Sequence, residues 1–110
     1  MRRISYMLIL CLSILFVQAK DFRIALFTDL HITHSTPAVE DLQRAVDQVN
    51  ATSGIDFVLV SGDITEEGDL ASLQKAKSIL DKLKVPYYIT SGNHETKWSE
   101  SGCTDFNKVF

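Results

Sequence analysis

The sequence predicts an α/β fold, a βαβαβ unit with parallel strands, and three observations predict it. Three short apolar runs recur along the chain: FRIALF at 22–27, FVLV at 57–60 and VPYYIT at 85–90. The two stretches between them place their apolar residues on one helical face. A polar cluster follows each run, as expected where parallel strands deliver their carboxyl ends to one edge of a sheet. Composition is compatible, since 45% hydrophobic and 23% charged residues describe a globular chain, and 110 residues allow at most one domain.

The chain begins outside this unit. Arg2 and Arg3 precede an apolar run of 12 residues from Tyr6 to Val17, YMLILCLSILFV. A bilayer span needs about 20 apolar residues, so this run is short for an anchor. A basic start, a short apolar core and a Val17-Gln18-Ala19 junction describe a secretory signal. Residues 1–19 are therefore expected to be a signal peptide and residues 20–110 the domain. The protein is expected to be exported, periplasmic or secreted, with no stable membrane span after cleavage. Cys11 lies inside the apolar run and follows Leu10, which argues against a lipoprotein site. The whole chain carries 11 basic and 14 acidic residues, a charge of −3. Loss of Arg2 and Arg3 leaves 9 basic residues against the same 14, or −5, and leaves Cys103 as the only cysteine. No basic run suggests a specific nucleic-acid grip. Two cysteines are too few for a disulfide scaffold or a cysteine-rich zinc site.

The elements follow in order. FRIALF, FVLV and VPYYIT are continuously apolar or β-branched, which suits strands buried on both faces. Pro86 falls near the start of its strand, where a missing donor is tolerated. In the first helical stretch Val39, Leu42, Val46 and Val49 share a face. Thr36 can cap it, Pro37 fits the first helical position, and Glu40 and Asp41 suit the first turn. Gly54 can end that helix or turn the chain toward the next strand. In the second stretch Leu70, Leu73, Ala76, Leu80 and Leu83 form the apolar face, Asp69 is a cap, and Lys82 and Lys84 sit at the negative end of the dipole. The apolar residues of both helices are assigned to core packing.

The chemistry sits at the strand ends. Thr28-Asp29-Leu30-His31 follows the first strand, Ser61-Gly62-Asp63 the second, and Ser91-Gly92-Asn93-His94-Glu95 the third. Asp29 and Asp63 are 34 residues apart, and Asp63 and Asn93 are 30 apart, so each cluster lies one βα unit from the last. Carboxylate, imidazole and amide oxygen together suit divalent manganese, iron or zinc. From an extended D-x-H segment both side chains project the same way and can reach one ion. Gly62 and Gly92 permit close backbone approach. A carboxylate can bridge two ions roughly 3.5–4 Å apart, and such a pair clamps an in-line displacement at phosphorus. Each motif alone arises often by chance. All three in order, each after a strand, point to one site.

From Phe22 to Trp98 the chain resembles the calcineurin-like metallophosphoesterase family, through Asp29-Leu30-His31, Gly62-Asp63 and Gly92-Asn93-His94-Glu95. The resemblance implies the N-terminal half of an α/β-β/α sandwich and a hydrolase acting on phosphomonoesters or phosphodiesters. It implies two divalent metal ions as cofactors and a phosphate ester as substrate. Asp29 and His31 would bind the first ion, Asp63 would bridge both, and Asn93 would bind the second. His94 would be the catalytic residue beside the phosphate, as stabiliser or general acid. Glu95 would orient His94 from behind. His31 and Glu66 stand where the purple acid phosphatase branch has glycine and tyrosine, which argues against that branch. The later histidine motifs of the family are absent, so the domain is expected to be incomplete at its C-terminus. The competing reading is an incomplete, catalytically inactive α/β fragment that binds a metal or ligand. A flavodoxin-like module is remoter, because it has no need of Gly92-Asn93-His94-Glu95.

Five further residues carry bland expectations. His34 is assigned to a solvated loop. Trp98 is assigned to a substrate pocket, to a surface segment leading into a short helix, or to the core. Glu66, Glu67 and Asp69 are assigned to a solvated acidic loop and a helix cap.

Overall fold

The computed structural model describes residues 20–33 and 37–110. The expected signal peptide with Arg2, Arg3, Cys11 and the Val17–Ala19 junction, the expected Thr36 cap and His34 lie outside the described residues. The five expected elements occur in the expected order: β1 Ile24–Phe27, α1 Ala38–Ala51, β2 Phe57–Ser61, α2 Leu70–Leu80 and β3 Tyr87–Thr90. Two short helices follow, α3 Asn93–Thr96 and α4 Thr104–Val109.

All three strands are parallel, in the order β1-β2-β3, with Ile24 opposite Phe57 and Val58 opposite Tyr87. Pro86 falls just before β3, where its carbonyl accepts the Val58 N–H at 3.0 Å. Pro37 is the cap residue of α1 rather than its first helical residue, and its carbonyl accepts the Asp41 N–H at 2.9 Å. Asp69 caps α2 as expected, its Oδ1 accepting the Ser72 N–H at 2.9 Å. That helix ends at Leu80, so Lys77 lies in its last turn, and Lys82 and Lys84 lie beyond it. The Tyr87 hydroxyl donates to Asp81 at 2.7 Å and ties β3 to the end of α2. The Lys77 ammonium, with Tyr87, holds the Asp81 carboxyl below its ordinary range.

Burial corrects one expectation. The strands are not buried on both faces; they alternate. Val58 and Val60 are fully covered, and Ala25, Phe27, Tyr87 and Ile89 pack beside them. Leu42, Val46 and Val49 from α1 and Ala76, Ile79 and Leu80 from α2 complete the same core. Leu70, expected on this face, is 38% exposed at the start of α2, and Ile79 takes its place. Both helices therefore cover one face. Crossovers of one hand that always advance the same way across a sheet leave successive helices on the same side. The opposite face presents Ile24, Leu26, Leu59 and Tyr88, with Leu26 63% exposed. On it, Phe57 meets Phe22 at 6.3 Å and Tyr88 at 5.6 Å between ring centroids. Among the described residues no helix is long and apolar enough to cross a membrane.

The covered face is predicted to carry the stability. Leu80→Ala should destabilise the chain by ~2–5 kcal/mol, since Leu80 is fully buried. Leu26→Ala, on the open face, should change stability by less than about 0.5 kcal/mol. Urea unfolding followed by circular dichroism separates the two, and equal losses would contradict the one-sided core.

Candidate metal centre

Three loops leave the carboxyl ends of the strands and are fastened to one another by their backbones. The loop after β1 runs beside the loop after β2. Asp29 N–H donates to the Gly62 carbonyl (3.3 Å), His31 N–H to Asp63 (3.1 Å) and Ile32 N–H to Ile64 (2.9 Å). Ile32 and Ile64, each one residue past a polar group, are buried in the core. They anchor the loops from below while their polar neighbours stay at the rim.

The loop after β3 is held by Glu95, which is 1% exposed. Its Oε1 accepts the Thr65 N–H at 2.9 Å and the Thr65 hydroxyl at 3.2 Å, and its Oε2 accepts the Gly92 N–H at 2.9 Å. Gly62, at φ +90°, and Gly92 then come together so closely that a Cβ on Gly62 would lie 2.8 Å from the Gly92 backbone. A Cβ on Gly92 would collide with the Asp63 carboxylate and amide. The sequence expectation of close backbone approach at these glycines is met there.

The expected ligands of the first two motifs converge. Asp29, His31 and Asp63 each offer a ligand atom, all within 4.8 Å of one another. Their conformation differs from the expected extended D-x-H segment: φ is +52° at Asp29, +45° at His31 and +49° at Asp63. Left-handed backbone at a non-glycine residue costs about 1–3 kcal/mol and gathers at functional sites. Three of the four described non-glycine residues in that region are these three, the other being Cys103. Carboxylate and imidazole donors this close suit a hard to borderline divalent ion. Asn93 opens α3 in the adjoining loop, exposed, between Gly92 and His94, and the His94 N–H donates to Asp63 Oδ1 at 3.2 Å.

His94 is 6% exposed. Its ring stands edge-on to His31 at 4.7 Å and meets Trp98 at 4.4 Å. Its Nδ1 lies 2.5 Å from the Glu66 carbonyl oxygen. Glu95, expected to orient the imidazole, makes its hydrogen bonds to Thr65 and to the Gly92 N–H, while the Nδ1 contact of the ring belongs to Glu66. Trp98 is 60% exposed and is not core. It lines a cavity of about 400 Å³ with Glu67, Ser99 and Glu100.

Glu66 is exposed, as expected of the acidic loop, but sequence reasoning missed its partners. Its Oε2 lies 2.8 Å from His31 Nδ1, and its carboxylate groups with His31 and His94 as a second set of possible ligands. The signal was present only in three dimensions. The parallel bridge between Ile32 and Thr65 sets the residue after Thr65 beside His31, which no spacing of types reveals.

A comparison with known protein families matches residues 22–110 to the calcineurin-like phosphoesterases. The chain belongs to this family. No curated relative matches it. Family membership makes the domain a metal-dependent hydrolase of phosphoric esters, and the parallel βαβαβ sheet is consistent with the N-terminal half of that fold.

Removal of the Glu95 carboxylate should loosen this rim. Glu95→Ala leaves the Thr65 N–H, the Thr65 hydroxyl and the Gly92 N–H without their acceptor, and an unsatisfied buried donor is worth ~1–3 kcal/mol. Stability should fall by at least that range, with faster amide exchange at Thr65 and Gly92. Exchange as slow as in the parent chain would show that Glu95 does not fasten these loops.

Proposed function

We propose that this chain supplies the ligand-bearing rim of an exported phosphoesterase that works through two divalent ions. The observation that carries the reading is the convergence of Asp29, His31 and Asp63 on one edge, each in a strained left-handed conformation. Asp29 and His31 would hold the first ion, Asp63 would be shared, and Asn93 would serve the second. When bound, divalent ions supply charge against the phosphate oxygens and a nucleophilic water at neutral pH.

The chain's own groups do the rest. His94 keeps a proton on Nδ1, because the Glu66 carbonyl there can only accept. That leaves Nε2 as the nitrogen turned to a phosphate oxygen or a departing alkoxide, which it would serve as stabiliser or general acid in the doubly protonated ring. Burial of the ring between His31 and Trp98 fixes its plane before substrate arrives. The cavity lined by Trp98, whose ring meets that of His94, is a space for the alcohol portion of a phosphomonoester or phosphodiester. Export rests on Arg2, Arg3, the 12-residue apolar run and the Val17-Gln18-Ala19 junction.

The division of roles predicts a division of effects. Asp63→Asn keeps the size but removes the charge shared between two cations, so the content of both ions and the turnover should fall. His94→Ala should leave the ions bound and lower turnover by ~10²–10⁴-fold. Metal content by mass spectrometry beside hydrolysis of an aryl phosphate and a phosphodiester, in the longest native form of the protein, checks both. Normal ion content and turnover in Asp63→Asn would refute the two-ion reading. Loss of the ions in His94→Ala would make that histidine a ligand instead.

Processing makes a separate prediction. N-terminal sequencing of exported protein should begin at Lys20, and an intact Met1 on membrane-bound protein would replace secretion with anchoring.

A further inference from the structure

We propose that Glu66 is a positioning residue that sets the tautomer of both histidines at the rim, with its side chain acting on His31 and its backbone on His94. The two contacts come from one residue and fall on the same ring atom. His31 Nδ1 lies 2.8 Å from Glu66 Oε2, and His94 Nδ1 lies 2.5 Å from the Glu66 carbonyl oxygen. A carbonyl and a carboxylate only accept, so each imidazole carries a proton on Nδ1, and in its neutral form presents a bare Nε2. His31 Nε2 then faces Asp29 Oδ1, 3.9 Å away, on the side where Asp29 and Asp63 converge. A neutral imidazole binds a cation through one nitrogen, and a carboxylate on the other nitrogen fixes that choice and raises its basicity.

The placement of Glu66 follows from the fold. The bridge between Ile32 and Thr65 aligns the two loops, and the Glu66 N–H donates to the Ile32 carbonyl at 3.3 Å. The backbone of Glu66 is thereby held, while its side chain remains half exposed at 51%. A change of side chain should therefore leave the carbonyl in place. The same geometry also allows Glu66 to be a ligand of an ion shared with His31 and His94. The two roles differ in what glutamine can replace. In Glu66→Gln the side-chain amide oxygen still accepts the His31 N–H, but it is a poor substitute for an anionic ligand.

The metal-binding part of this inference rests on the proposed role of His31 as a ligand, whereas the tautomer part does not. The first measurement is accordingly made without metal. Ring nitrogen-15 spectra of the chain, taken at about pH 8.5 where an imidazole is ordinarily neutral, should show the Nδ1–H form for both His31 and His94. In Glu66→Ala the preference should be lost at His31 and kept at His94; in Glu66→Gln it should be kept at both. An unchanged His31 tautomer in Glu66→Ala would overturn the proposal, as would loss of the His94 preference. The second measurement is titration with Mn²⁺ alone. Glu66→Ala should bind it about 10–100-fold more weakly, the range seen when such outer partners are removed, and Glu66→Gln should bind within a few-fold of the parent. An equal loss in both variants would make Glu66 a ligand and overturn the positioning role. If the tautomers shift as expected while Mn²⁺ affinity is the same in all three proteins, the hydrogen-bond assignment stands, and the ligand role of His31 fails instead.

Discussion

The rim depends on a single buried carboxylate. Glu95 sits on the third loop, yet two of its three hydrogen bonds go to Thr65 on the second. The third returns to Gly92 at the start of its own loop. An anion this deep is tolerated only when its oxygens are matched by donors, and here the match is what closes the site. With Thr65 and Gly92 drawn to the same carboxylate, Gly62 and Gly92 meet, and the His94 N–H reaches Asp63. A shorter or uncharged side chain at this position would satisfy fewer donors and leave the third loop without its fastening.

Strain and anchoring balance each other in the first two loops. Asp29, His31 and Asp63 occupy a backbone region that disfavours L-residues, although aspartate and histidine tolerate it better than most. What holds them there is apolar. Ile32 and Ile64 are each buried one residue away, and the parallel hydrogen bonds between the loops extend the β1–β2 ladder beyond the strands. The core and the site are thus one structure. Val60 and Ile64, both in the core, flank the turn that projects Asp63, so a loosened core would be felt first at the rim.

The sheet is asymmetric for a topological reason. Strands laid down in the order β1-β2-β3 by crossovers of one hand send α1 and α2 to the same side. The other side keeps Ile24, Leu26, Leu59, Tyr88 and the Phe22–Phe57 contact, an apolar surface of the kind that ordinarily marks an interaction face.

By itself the sequence determined the order and type of the five main elements, the cap at Asp69, and the identity of the residues at the strand ends. These follow from local physics: hydrophobic period, β-branching, helix capping and the placement of glycine act over a few neighbouring residues. It could not determine which face of each strand is covered, because FRIALF and FVLV are apolar at every second position and at most of those between. It misjudged the conformation of Asp29 and His31, because left-handed backbone is imposed by the pairing of two loops far apart in the chain. It gave no sign that the exposed Glu66 would meet His31 and His94, nor that Glu95 would bond to Thr65 and Gly92. Only the tertiary structure decided those partners, since a hydrogen bond between residues 28 to 35 positions apart is set by how loops from different strands stack at the sheet edge, and that stacking leaves no period in the sequence.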